Sequence, residues 1–98
     1  MTAYAHDSLA QYRNDIMRIA TEFGAKNVRV FGSASRGDDR LDSDIDLLVE
    51  FDPDRSLFDH VGMAHALEEL IGRPVDIVSE SALHWFIRER VLAEAVPI

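Results

Sequence analysis

Apolar residues recur along this chain with two different periods, and each change of period marks an element. Leu9, Tyr12, Ile16, Ile19, Ala20 and Phe23 repeat at the spacing that keeps side chains on one face of a helix. Asp7 or Ser8 can cap its start, and Gly24 suits its end. Asn27-Val28-Arg29-Val30-Phe31 alternates and is β-branched, which predicts a strand. After a Gly32-Ser33 turn and a polar stretch from Ser35 to Ser43, the run from Asp44 to Phe51 reads as a second, largely buried strand. Asp52-Pro53-Asp54 breaks it. Ser56, with Asp59 three residues on, has the pattern of a capping box for a second long helix. Its expected apolar face is Leu57, Val61, Ala64, Leu67 and Ile71, and Gly72 and Pro74 stop it. Val75-Asp76-Ile77-Val78 predicts a third, short strand. Ser81 is the expected cap of a last helix with Leu83, Ile87 and Val91 on one face, and Pro97 lies just past its end.

This order of helix, strand, crossover, strand, helix, strand, helix predicts an α+β (mixed α/β) fold. Three strands cannot shield two apolar faces alone, so the helices are expected on one face of the sheet. The 98 residues make up one domain's worth of chain, and residues 1–98 are read as a single domain. The pattern shows no internal repeat and no linker.

Composition narrows the function classes. An apolar fraction of 47% is that of a folded, soluble chain. No cysteine is present, so disulfides and thiolate metal sites are excluded, in keeping with an expected cytoplasmic location. Met1 to Ala10 lacks the pattern of a signal peptide, and no apolar stretch has membrane-spanning length. The net charge of −8 repels nucleic acid, so direct nucleic-acid binding is not expected. A basic protein partner suits it better. If phosphates bind here, divalent cations must neutralise the local acids.

The chemistry concentrates between residues 31 and 46, with one addition at 76. Asp44 and Asp46 are two apart, which in a strand places both carboxylates on one face, about 6.5–7 Å apart. Ile45, Leu47 and Val49 then face the core together. Two like charges at the head of a buried strand are costly unless a cation sits between them. Magnesium is the natural occupant, because it prefers carboxylate oxygen and is commonly shared with substrate phosphates. Asp76 holds the matching place on the third strand. If the strands are neighbours, three carboxylates suit a two-metal site for nucleotidyl transfer. Taken singly, an Asp-x-Asp is more often a solvated strand end.

Gly32-Ser33 follows an apolar strand and precedes Ala34-Ser35-Arg36-Gly37, which can start a short helix. Glycine admits a phosphate close to the backbone, the Ser33 hydroxyl adds a donor, and Arg36 can pair with a phosphate oxygen. An isolated Gly-Ser is usually an ordinary turn. The histidines are poorer candidates: His60 and His65 point in different directions on a helix, and His6 and His84 are isolated. His84-Trp85-Phe86 opens the last helix, with Phe86 and Ile87 expected in the core and Trp85 in the core or against a partner. Arg88 and Arg90 read as solvated helix charges, and Arg73 as a modest candidate for nucleotide contact.

The combination is more specific than its parts. Val30-Phe31-Gly32-Ser33-Ala34-Ser35-Arg36-Gly37, followed by Ser43-Asp44-Ile45-Asp46-Leu47-Leu48-Val49, resembles the signature of the DNA polymerase beta-like nucleotidyltransferase superfamily. The Arg-Gly and Ser-Asp-Ile-Asp-Leu-Leu-Val wording is similar to its minimal branch, the MNT proteins. Arg73 to Val78 resembles the third-acid strand, and Ile87 to Ile98 the usual ending of that branch. The resemblance runs from about Ile16 to the end and departs at no signature position.

That resemblance implies a nucleotidyltransferase fold, a small mixed three-stranded sheet flanked by helices. It implies that Gly32 and Ser33 hold the β- and γ-phosphates of ATP, and that Asp44 and Asp46 bind two magnesium ions. Asp76 would bind the catalytic ion and help to deprotonate the acceptor hydroxyl. Larger superfamily members carry a further domain for the acceptor, so here the acceptor site is expected to be shallow, shared or supplied by another protein. MNT proteins are typically paired, as antitoxins, with a helical HEPN toxin. The resemblance therefore implies transfer of AMP to a hydroxyl such as a tyrosine on that partner, in a hetero-oligomer. Two other readings stay open: an antitoxin that masks its toxin by binding alone, and a small-molecule nucleotidyltransferase working with a separate acceptor-binding chain.

Overall fold

The computed structural model describes residues 9–32 and 44–98. The expected cap at Asp7 or Ser8 lies outside them. Three helices and four strands follow in the order α1 (Arg13–Glu22), β1 (Ala25–Phe31), β2 (Ile45–Phe51), α2 (Leu57–Ile71), β3 (Val75–Ser79), a single 3-10 turn (Glu80–Ala82), α3 (Trp85–Glu94) and β4 (Val96–Pro97). The strands form one sheet in the order β3-β2-β1-β4. β1 runs antiparallel to β2 and β4, and β2 runs parallel to β3, so the sheet is mixed. A parallel pair needs a long crossover, and α2 supplies it.

Alternation along β2 decides which face is the core. Ile45, Leu47 and Val49 are all fully buried, as their spacing predicts. They join Val30 of β1 and Val75 and Ile77 of β3 under α1 and α2. α1 contributes Ile16, Ile19 and Ala20 to this core, with Leu9 just ahead of it and Tyr12 and Phe23 at its margin. α1 packs on β1, α2 on β3, and the two helices on each other. The expectation that helices cover one face holds for these two. The other face is closed to water around Leu48, which is fully buried, and Arg29 pairs with it across the strands.

Arg29 anchors an ion-pair chain on that second face. Its guanidinium donates to Glu80 Oε2 at 2.8 Å, with only 12% and 16% of the two side chains exposed. Arg88 of α3 donates to Glu80 Oε1 at 3.3 Å and to the Glu80 carbonyl at 3.0 Å. The hydrogen bond from Arg29, opposed by partial burial and aided by Glu50 and the charge of Arg88, holds the Glu80 carboxyl below its ordinary range. The chain of charges ties β1, the 3-10 turn and α3 together. Arg88 is thus a structural cation rather than a merely solvated one.

Three sequence expectations need correction. The sheet has a fourth strand: Val96 and Pro97 pair with Val30 and Arg29. Two residues ending in proline carry no strand signal, and proline is admissible here because β4 lies at the sheet edge. Ser81 does not cap α3. It sits in the 3-10 turn, and the cap is His84, whose Nδ1 accepts from the Phe86 amide at 3.1 Å. The apolar faces of α2 and α3 hold in part: Leu67 and Val91 are buried and Ala64 and Ile71 pack against the core as expected, and the rest differ. Leu57 and Val61 are exposed, while Met63 and Leu67 are fully buried. Phe86 and Ile87 are exposed rather than in the core, Trp85 is 77% exposed, and Val91 alone of α3 is buried. α2 is apolar nearly all round, so periodicity cannot choose its inward stripe; contact with α1 and β3 does. Its ends follow expectation, with the Ser56–Asp59 capping box formed and Gly72 in the left-handed conformation at φ 78°.

The corrected face predicts that Leu67→Ala lowers the unfolding free energy by about 3 kcal/mol, the cost of a cavity in a closed core. Leu57→Ala is expected to change it by less than about 0.5 kcal/mol. Urea denaturation of the two variants measures both; equal losses would restore the stripe that periodicity suggests.

Candidate active site

β2 and β3 deliver two of the predicted acids to neighbouring positions. Their parallel register pairs Ile45 with Val75, Asp46 with Asp76 and Leu47 with Ile77. With Ile45 and Leu47 in the core, Asp46 and Asp76 must share the opposite face. Asp44 immediately precedes β2 and has the parity of Asp46. Asp46 is half-buried, and Asp44 and Asp76 are exposed. The inference that adjacent strands would bring the third acid beside the first two therefore holds at the level of register. Among the described residues, no group of three His, Asp or Glu side chains is gathered closely enough to hold a metal ion. In kind, the donors still suit magnesium: they are exposed or half-buried carboxylate oxygens on one face, open to substrate phosphate.

The strand starts are fixed by hydrogen bonds that sequence patterns do not signal. Glu68, in the last turns of α2, accepts the Val75 amide on Oε2 at 2.9 Å. The Ile45 amide donates to the Pro74 carbonyl at 2.9 Å. These bonds flank Asp76 and Asp46 on the same side and leave little freedom to the backbone that carries them. Glu68 is a positioning residue that the sequence reading missed, because a glutamate near a helix end ordinarily reads as a solvated charge.

Gly32 closes the site from β1. Phe31 is the last β1 residue and pairs with Asp46, so the turn begins directly beside that carboxylate. Gly32 has φ 71°, a conformation that side chains disfavour. A Cβ there would also stand 2.5 Å from Asp46 Oδ2. Two independent constraints thus disfavour a larger residue: the backbone conformation, and the carboxylate lying against the turn. Ser33 and Arg36, the other predicted phosphate contacts, lie outside the described residues. Arg73 stands just before β3 and is half-buried and engaged in an interaction of its own.

The histidines take structural places. His60 Nε2 donates to the Ile77 carbonyl at 2.6 Å, and its ring stacks on Phe51 with centroids 5.3 Å apart. His84 caps α3. His60 meets the backbone one residue past Asp76, but its ring lies against Phe51, five residues beyond Asp46 and roughly 16 Å from it at the rise of a strand.

Gly32→Ala should unseat the Asp46 carboxylate while leaving the core intact. The expected result is a stability loss of about 1–2 kcal/mol and at least a tenfold weaker affinity for an ATP analogue in magnesium buffer, read by calorimetry. Unchanged affinity would mean that the turn and the carboxylate do not act together.

Comparison with known proteins agrees with this arrangement. Residues 14–98 match the family model described as a nucleotidyltransferase domain. A Methanocaldococcus jannaschii protein, named as a proposed protein adenylyltransferase, MJ0435, is 35% identical over 91 residues, which cover 93% of this chain and 98% of that protein. The protein adenylyltransferase MntA of Thermococcus cleftensis is 42% identical over 74 residues, covering 76% of this chain and 75% of its own. A solved structure of a proposed minimal nucleotidyltransferase superposes with a TM-score of 0.86 at 45% identity, over 100% of both chains. A crystal structure described as a toxin-antitoxin with AMP-PNP shares the fold, with a TM-score of 0.74 at 21% identity over 87% of this chain and 70% of that one. The sequence signature, the mixed sheet and these relatives together make the chain a member of the minimal nucleotidyltransferase (MNT) family of nucleotidyltransferases.

Proposed function

We propose that this protein is a magnesium-dependent adenylyltransferase that moves AMP from ATP to a hydroxyl, such as a tyrosine, of a HEPN-type toxin and so acts as its antitoxin. The observation that carries the reading is the pairing of Asp46 with Asp76 on the face where Gly32 begins the turn. Relatives named as protein adenylyltransferases support the transferred group and the protein acceptor. A solved toxin-antitoxin of the same fold with AMP-PNP supports a nucleotide and a toxin partner.

The chain's own groups have separable tasks in this reaction. The amide of Gly32, with Ser33 and Arg36 downstream, would hold the β- and γ-phosphates through donors aimed at anionic oxygen. Asp44, Asp46 and Asp76 would hold magnesium, which when bound neutralises phosphate charge and makes the acceptor oxygen more nucleophilic. The exposed Asp76 carboxylate would help to take the acceptor's hydroxyl proton. The acceptor oxygen forms a bond to the α-phosphorus, the bond from that phosphorus to the bridging oxygen breaks, and pyrophosphate leaves. Positioning and charge neutralisation supply most of the acceleration in such displacements.

The test uses ATP labelled at the α-phosphate, magnesium and the purified toxin. Label is expected on the toxin, with at least a hundredfold loss in Asp44→Asn and Asp46→Asn. Full neutralisation of the toxin by these variants without label would instead establish masking by binding alone. Transfer of label to a small molecule but not to the toxin would establish the small-molecule reading.

A further inference from the structure

Six of the seven large apolar side chains that remain exposed among the described residues fall in two short runs. Leu57, Phe58 and Val61 open α2; Trp85, Phe86 and Ile87 open α3. Phe58 is 89% exposed, and Trp85, Phe86 and Leu57 are about three-quarters exposed. Scattered single apolar residues on a surface are ordinary, but two short runs containing three aromatics are not. The α3 run is also ordered. The Trp85 ring stacks on His84 at 5.5 Å and meets Phe86 edge-on at 5.8 Å, and His84 is itself fixed by its cap to the Phe86 amide.

Both runs belong to one end of the sheet. Leu57 lines a cleft of about 330 Å³ whose other wall includes Ser79 and Ser81. Trp85 follows Ser81 by four residues, so the chain keeps it within about 14 Å of that wall. β2 and β3 run from Asp46 and Asp76 toward this end. The cleft therefore lies toward the opposite strand ends, with its Ser79 wall roughly 10 Å beyond Asp76 and its Phe51 wall roughly 16 Å beyond Asp46.

Charge around the runs selects the occupant. The arginines nearby are neutralised within the chain: Arg55 by Asp59 at 3.4 Å, Arg88 by Glu80 at 3.3 Å and Arg90 by Glu94 at 3.9 Å, while Lys26 lies beside Glu50 on a neighbouring cleft. Asp52, Asp54 and Glu89, which flank the same runs, make no ion pair among the described residues. The rim is acidic, in a chain whose net charge is −8. A second copy would bring the same acids against these, and an anionic membrane would be repelled.

We propose that the α2 and α3 starts form a docking surface for a partner protein that presents apolar side chains flanked by lysine or arginine. The proposal rests on the toxin reading above and assigns that partner its anchor. It also divides the work between two poles: the partner is held at one and modified at the other. An acceptor hydroxyl must then reach across the sheet or come from another copy of the partner.

The toxin, purified as a catalytically inactive variant, is titrated with the full chain and with Leu57→Ser/Phe58→Ser and Trp85→Ser/Phe86→Ser. Each pair is expected to weaken binding at least about tenfold, with the melting temperature and ATP-analogue affinity unchanged. In the labelling assay, the same variants should raise KM for the toxin and leave kcat within about twofold. Asp52→Lys/Asp54→Lys/Glu89→Lys should slow association about tenfold at low salt, an effect that fades in high salt. Wild-type binding that all variants retain would overturn the surface while leaving the toxin reading intact. No wild-type binding would overturn both. Sedimentation showing a wild-type dimer that the apolar variants dissolve would assign the surface to a second copy instead.

Discussion

Parallel pairing of β2 with β3 in a single register governs where every functional group of this protein falls. Ile45, Leu47 and Val49 can be buried only if Asp46 faces the other way. Pairing Asp46 with Asp76 then follows without any interaction between the carboxylates themselves. A slip of one residue would drive Asp46 into the core and Leu47 into water. Burying an unpaired carboxylate costs several kcal/mol, and exposing a leucine about 2 kcal/mol more, so the core enforces the site. The energy that assembles two like charges comes from apolar burial on the far side of the same strands.

The surrounding contacts hold this register from both ends. At the catalytic end, Glu68 and the Pro74 carbonyl fix the first residues of β3 and β2. In mid-strand His60 bonds the Ile77 carbonyl, and at the other end the Arg29–Glu80–Arg88 chain joins β1 to the turn that leaves β3. The packing core is thus flanked by one end that carries the paired aspartates and another built from ion pairs and exposed aromatics. On the proposed reading, a nucleotide and a protein partner would not compete for the same residues.

Much of this was legible beforehand, for identifiable reasons. β-branched alternation located β1, β2 and β3, and the Ser56 box and Gly72 bounded α2, because these signals are local. The Asp-x-Asp spacing and the Gly-Ser turn pointed to the site, because period-two alternation converts spacing into facing. What escaped depends on contacts distant in sequence. β4 is two residues long and acquires its identity only from β1. The expected stripe of α2 holds at Ala64, Leu67 and Ile71 but fails at Leu57 and Val61, because Leu57, Val61, Met63 and Leu67 look alike until α1 and β3 choose among them. Phe86 and Ile87 looked like core for want of any sequence cue that α3 lies on the margin. Glu68 and the Arg29–Glu80 pair join residues too far apart for any motif to link.

The central claim is that Asp46 and Asp76 act as one unit because their strands share a register. A double-mutant cycle on Asp46→Asn and Asp76→Asn, read as the rate of AMP transfer to the toxin, tests it most directly. If the claim holds, either substitution removes nearly all activity and the double variant loses little more than the worse of the two. Independent, multiplicative losses would show that the two carboxylates work separately and that their adjacency in the sheet does not make the site.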